Sequence, residues 1–236
     1  YEDPAELEST IRERTHSLDD WIRTTFGFHT VASWDRSDTQ KFAEQGVRLG
    51  LSDNQLTDLV LLNYMAKGKS FEFKGGQGAA IYNSVKASAN DYMIKMSHKG
   101  ALDHTFAILA GAETSESMSG TFMEQARQKY PHLDKYMDMG ITPGQFFSPH
   151  REEIASQLEL AEGADGVDLL NDKRFQSITQ FDDSGQIRPM TVSETGRYVR
   201  GLDDWQTTTN ARQAASGVSE SLLKTFGEVA GGMAGG

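Results

Sequence analysis

The sequence predicts a mainly α-helical fold, many short capped helices in two subdomains with one small β-hairpin. Three observations carry that expectation. Helix-start signals recur at Ser52-Asp53-Asn54-Gln55, Thr142-Pro143-Gly144-Gln145, Ser148-Pro149 and Thr191-Val192-Ser193-Glu194. In three of these a hydroxyl precedes Gln or Glu by three residues, so that side chain and backbone satisfy each other's free N–H groups. Apolar residues recur at helical spacing between the signals. Only 37% of the 236 residues are hydrophobic and the mean hydropathy is −0.53, a composition suited to small helical units that pack on each other or on neighbouring chains.

Glu2 to Arg14 is charged, with Leu7 and Ile11 four apart, and reads as the first helix; Ser17 is placed to cap a second one through Trp21 and Ile22. The Ser52 capping box opens an amphipathic run from Leu56 to Tyr64, with Gly68 as its stop. Ser70 to Gly76 alternates apolar and polar residues before Gly75-Gly76, the pattern of a short strand or extended loop. Asp91–Ala110 and Thr121–Met139 read as helices, and Met93, Met96, Met118, Met123, Met137 and Met139 give this middle third an adaptable surface. Thr142, Ser148 and Thr191 start further helices, with Pro143 at the first helical position, where its missing N–H costs nothing. Ile178–Phe181, Asp182–Gly185 and Gln186–Pro189 read as the two arms and turn of the hairpin. The subdomains are expected at 1–130 and 131–230, followed by a flexible glycine-rich tail at 231–236. Leu18-Asp19-Asp20-Trp21 is echoed by Leu202-Asp203-Asp204-Trp205, which reads either as a helix start repeated by chance or as a duplicated helical module.

Composition narrows the function classes. There are 23 Lys and Arg against 34 Asp and Glu, a net charge of −11, which argues against tight nucleic-acid binding. The absence of cysteine excludes thiolate nucleophiles, disulfides and Cys-ligated metals. No apolar stretch approaches the roughly 18 residues of a membrane-spanning helix. The six histidines, His16, His29, His98, His104, His132 and His150, include no pair at zinc-hydrolase spacing. Asp165-Gly166-Val167-Asp168 and Asp182-Asp183-Ser184-Gly185 hold fragments of a calcium loop that turn chemistry accounts for. Lys74-Gly75-Gly76-Gln77-Gly78 lacks the Lys-Ser/Thr ending of a phosphate loop. No cofactor and no metal are expected.

Ala112-Glu113-Thr114-Ser115-Glu116-Ser117 is the most enzyme-like segment. It resembles the Glu-Ser pair that ends the first catalytic helix of lytic transglycosylases, which implies Glu116 or Glu113 as a general acid. The following Gly120-Thr121-Phe122-Met123 departs from that family's pattern, so a cell-wall-cleaving enzyme is the alternative function and no catalytic residue is the first expectation.

Lys129-Tyr130-Pro131-His132-Leu133 followed by Met139-Gly140-Ile141-Thr142-Pro143-Gly144-Gln145-Phe146 resembles repeats in virion proteins of tailed bacteriophages. Asp172–Phe175, Glu194–Arg200, Asp204–Ala211 and Leu223–Gly227 continue the style, so the likeness covers roughly residues 121–230. The resemblance implies a structural component of a phage tail or particle interior, in its favoured form the C-terminal region of a tape-measure protein. It would sit in the virion, contact other virion proteins and form a symmetric homo-oligomer. Tyr at position 1 fits a piece of a longer chain. The contact residues expected are Trp21, Trp205, Phe146, Phe147 and Tyr198. A soluble helical adaptor or effector is a second alternative.

Overall fold

A computed structural model describes residues 4–27, 36–66, 72–73, 75–175 and 178–233, with the backbone alone at 36, 64–65 and 225–233. Among these residues the chain is mainly helical, with one two-stranded antiparallel sheet. It clusters into two compact units, Tyr1–Gln128 and Lys129–Gly236.

The first unit contains α1 (Pro4–Phe26), α2 (Arg36–Arg48), α3 (Asp53–Ala66), α4 (Gly76–Asp91), α5 (His98–Leu109) and α6 (Ser115–Lys129). Leu18, Ile22 and Phe26 recur every four residues on α1 and are buried against Leu56, Val60 and Leu61 of α3 and Leu102 and Phe106 of α5. A second cluster joins Val85 and Ala89 of α4, Ala101 of α5, and Met118 and Phe122 of α6, with Tyr82 packed against both clusters. The end of α1 and the start of α4 approach backbone to backbone. Gly27 has φ +84° and Gly76 φ +71°, and a Cβ on Gly76 would lie 2.6 Å from the Thr24 carbonyl oxygen and 2.7 Å from the Gly27 nitrogen. The glycine-rich segment that fails as a phosphate loop therefore has a packing role: only residues without a Cβ let the two helix ends meet. Phe73, just before it, stacks on Phe26 at 5.7 Å between ring centroids.

The second unit contains α7 (Asp134–Asp138), α8 (Pro143–Gln157), β1 (Thr179–Phe181), β2 (Ile187–Pro189), α9 (Val192–Arg200) and α10 (Thr209–Met233), with 3-10 turns at Pro131–Leu133, Gly163–Gly166 and Asp203–Thr207. Helices α8 and α9 pack together through buried Phe147, His150, Ile154, Thr195 and Val199. The hairpin pairs Thr179 with Pro189, Gln180 with Arg188 and Phe181 with Ile187. Its turn is built by Asp182 Oδ1, which accepts from the backbone N–H groups of Ser184 and Gln186 at 2.9 Å each and from the Ser184 hydroxyl. Asp168 Oδ1 likewise accepts from the N–H groups of Leu170 and Asn171. Both carboxylates thus serve turns.

The mainly helical class and the hairpin at 179–189 stand as the sequence implies. The capping boxes at Ser52, Thr142 and Thr191 form with both reciprocal hydrogen bonds. Several boundaries differ. No second helix starts at Ser17, because α1 is continuous to Phe26; its Thr10, Thr15 and Thr24 hydroxyls donate to the carbonyls four residues back within that one helix. Ser148-Pro149 does not start a helix either. Pro149 lies inside α8, where the buried face of Phe147, His150 and Ile154 carries the helix past one missing N–H. The runs 91–110 and 121–139 are broken, the first by Met93 at φ +52° and the Ser97 cap, the second before Pro131. The Leu-Asp-Asp-Trp echo is not a repeated module: Trp21 lies within α1 and Trp205 in a 3-10 turn. Met93, Met118 and Met137 are buried, so these methionines fill core gaps and Met139 alone of the four is largely exposed. Of the glycine-rich tail expected at 231–236, residues 231–233 belong to α10 and residues 234–236 lie outside the described residues. Of the expected strand or loop at 70–76, residues 70, 71 and 74 lie outside the described residues, as does the Gly68 stop.

The glycine crossing sets a contrast measurable by chemical denaturation. Gly76→Ala is expected to destabilise the first unit by about 3 kcal/mol, through a left-handed alanine and an overpacked backbone contact. Gly120→Ala, at an exposed position inside α6 with nothing near its would-be Cβ, is expected to stabilise it by roughly 0.5–1 kcal/mol. Equal effects of the two substitutions would contradict the packing role.

Candidate functional site

The five aromatic residues expected at contacts fall into different environments. Trp21 is half-buried, edge-on to Phe26 at 5.8 Å, and lines an open cavity of about 290 Å³ together with Arg14, Leu18, Asp53, Leu56 and Leu109. Arg14 shapes the rim of that cavity by donating from Nη1 to the Leu51 carbonyl at 2.7 Å. Phe147 is 5% exposed and belongs to the core of the second unit, so it supports a surface without forming one. Phe146 is half-buried and is ringed by Tyr136 at 4.7 Å, Phe147 at 5.2 Å and His150 at 5.7 Å. Tyr198 is half-buried and its hydroxyl donates to the Arg174 carbonyl at 2.5 Å. Arg174 in turn grips Asp172 through Nε and Nη2 and pairs with Asp204 through Nη1, which fastens the Asp203–Thr207 turn to the loop before the hairpin. Trp205 is half-buried on that turn, and its indole N–H is buried without an acceptor among the described residues.

The two carboxylates of the enzyme alternative also separate. Glu116 is exposed in the first turn of α6, where its charge favours the helix dipole. Glu113 is partly buried and pairs with His104 Nδ1 at 2.8 Å, while the His104 ring packs edge-on to Phe122 at 5.3 Å. Thr114 and Ser117 cap α6 reciprocally, N–H to hydroxyl in each direction. In this helix junction Thr114 and Ser117 engage each other, Glu113 engages His104 and Glu116 faces solvent.

Three histidine contacts escape a reading by sequence spacing. His98 Nδ1 meets the Tyr82 hydroxyl at 2.8 Å, His104 meets Glu113, and His150 Nδ1 meets the Thr195 hydroxyl at 2.8 Å. The last pair is buried, 45 residues apart in sequence, and joins α8 to α9. Burial pushes the pKa of His150 below its ordinary value, and that of His132 as well.

Two carboxylates organise the ends of helices. Glu194 is held well below the usual carboxylate range, first by Arg188, which donates to both its oxygens at 3.0 and 2.8 Å, and then by the Thr191 N–H. Strand β2 is thereby tied to the start of α9. Glu159 is lowered chiefly by the Thr209 N–H, which it accepts at 2.9 Å, with the Asn210 N–H at 2.7 Å. It thus caps α10 from 50 residues away, and Asn210 Nδ2 donates to the Ser156 carbonyl at 3.1 Å.

These directions separate two pH windows. For His150 the unfolded chain binds the proton more readily, so stability is expected to fall as pH drops below about 6.5 and to keep falling until the lower folded value is passed. The same measurement on His150→Gln should show a shallower slope of Tm between pH 7 and 5; an unchanged slope would remove the assignment. For Glu159 and Glu194 the contribution is present above about pH 4.3 and is lost as pH falls through their lowered folded values. Glu159→Gln should speed amide exchange at Thr209 and Asn210 while leaving Thr195 protected.

Comparison with protein-family models, with curated proteins and with solved structures finds no match to this chain.

Proposed function

We propose that the chain is a non-enzymatic structural or assembly component of a phage particle, tail or tail-tip associated, which acts by docking to other virion proteins in a symmetric homo-oligomer. The observation that supports this reading is where apolar surface lies. Eight of the ten large exposed apolar side chains among the described residues belong to the second unit, Tyr136, Met139, Phe181, Ile187, Val192, Val218, Leu222 and Leu223. Phe181 and Ile187 are 72% and 55% exposed and stand directly opposite each other on the hairpin. A two-stranded hairpin is marginal by itself, and a cross-strand apolar pair facing water gains most when another surface covers it. The chain's −11 charge fits basic neighbours, or a passage that DNA traverses without adhering. No cofactor or metal has a part in this reading.

The test is localisation. Mass spectrometry and immunogold labelling of purified particles should find the chain in stoichiometric, repeated copies at the tail; its absence from particles would overturn the proposal. Within the same reading the purified chain releases no fragments from cell-wall material. Digestion that Glu113→Gln or Glu116→Gln abolishes, in a variant with unchanged circular dichroism, would replace the structural reading by the glycosidase.

A further inference from the structure

The open cavity of about 290 Å³ lies wholly within the first unit and joins a pair of opposite charges to an apolar wall. Helix α1 supplies members of both. Arg14, Leu18 and Trp21 are spaced by four and three residues, so they share one face of α1, with the first and last about 10 Å apart along the helix axis. Helix α3 contributes Asp53 at its start and Leu56 one turn on, and α5 contributes Leu109 near its end. Leu18 and Leu56 are each 3% exposed and belong to the core beneath, whereas Trp21 and Leu109 are half-buried and pack against that core from its edge.

The two charges are placed so that both keep hydrogen-bonding capacity. Arg14 is held by the bond from Nη1 to the Leu51 carbonyl at 2.7 Å, and its Nη2 stands 4.0 Å from Asp53 Oδ1. That separation exceeds hydrogen-bond reach, and the Asp53 side chain is 85% exposed, so the pair contributes little to stability. A guanidinium fixed by one bond retains further N–H groups to donate, and a carboxylate has about four lone-pair sites to accept. Arg14 is thus oriented for a ligand by a contact that does not consume it.

This arrangement discriminates between ligand classes. A phosphate or a fatty carboxylate that meets Arg14 also meets the like charge of Asp53, and a simple amine on Asp53 meets the like charge of Arg14. A molecule with a carboxylate and an ammonium on one carbon satisfies both, the carboxylate accepting from Arg14 and the ammonium donating to Asp53. Its remaining part is directed along α1 towards Trp21, and an indole favours a second ring at about 4.5–7 Å between centroids. The cavity is at the low end of the roughly 300–1,000 Å³ of small-molecule sites, which suits a single amino acid.

We infer that this cavity binds a free aromatic amino acid, with its carboxylate on Arg14, its ammonium on Asp53 and its ring against Trp21 over Leu18 and Leu56. The site is independent of the reading of the chain as a virion component. Calorimetric titration of the purified full chain with phenylalanine should show one saturable site with a dissociation constant of about 2 mM or tighter. Phenylpropanoate lacks the ammonium and phenylethylamine lacks the carboxylate, and each should bind about tenfold more weakly. Glycine, with both charges and no ring, should not bind. Asp53→Asn should weaken phenylalanine about tenfold and leave phenylpropanoate unchanged or tighter; Arg14→Gln should weaken phenylalanine and spare phenylethylamine. Asp53 is exposed, so its substitution tests the site without disturbing the core, and retained near-ultraviolet dichroism verifies this. Absence of binding at about ten times that concentration of phenylalanine overturns the inference. So does phenylpropanoate that binds as tightly as phenylalanine, and so does phenylalanine binding that Asp53→Asn leaves unchanged.

Discussion

Unpaired backbone N–H groups at helix starts are the constraint around which this chain is organised. Each helix leaves about four of them without an intrahelical partner, and the chain has many short helices to start with few apolar residues to bury. The solution recurs: Ser52 with Gln55, Thr114 with Ser117, Thr142 with Gln145 and Thr191 with Glu194 each turn a side chain back onto the first turn. A cap of this kind contributes about 1 kcal/mol, comparable to one buried methylene group. In a chain with a thin core such terms decide where helices begin.

Two starts depart from the local scheme and show what tertiary contact adds. Helix α4 has no side-chain cap; it begins at Gly76, pressed against the end of α1. Helix α10 takes its cap from Glu159, a residue at φ +54° just beyond α8. Both arrangements tie together elements distant in sequence, and both use a strained or Cβ-free backbone to do so. The Arg188–Glu194 grip does the same for the hairpin, which has only two strands and would otherwise be weakly held.

Legibility followed the range of the interaction. The capping boxes and the hairpin turn built on Asp182 are written in four or five consecutive residues, and the structure forms them there. Ser17 and Ser148-Pro149 carry equally good local signals and start nothing, because buried stripes on α1 and α8 run through them. The candidate contact residues were legible as aromatic residues only. Sequence could not separate Phe146, half-buried among rings, from Phe147 beside it in the core, since neighbours on a helix point about 100° apart.

By itself, the sequence determined that this is a chain of short helices with one hairpin, acidic, free of thiol chemistry and built to start helices locally. These properties depend on composition and on residues within one turn of each other. Only the tertiary structure decided that His150 meets Thr195, that Glu159 caps α10, that two glycine-bearing helix ends touch, and that residues 212–224 of the last helix are left exposed within the second unit. Each depends on which distant surfaces are buried together, and burial is a property of the packed chain that no local pattern contains.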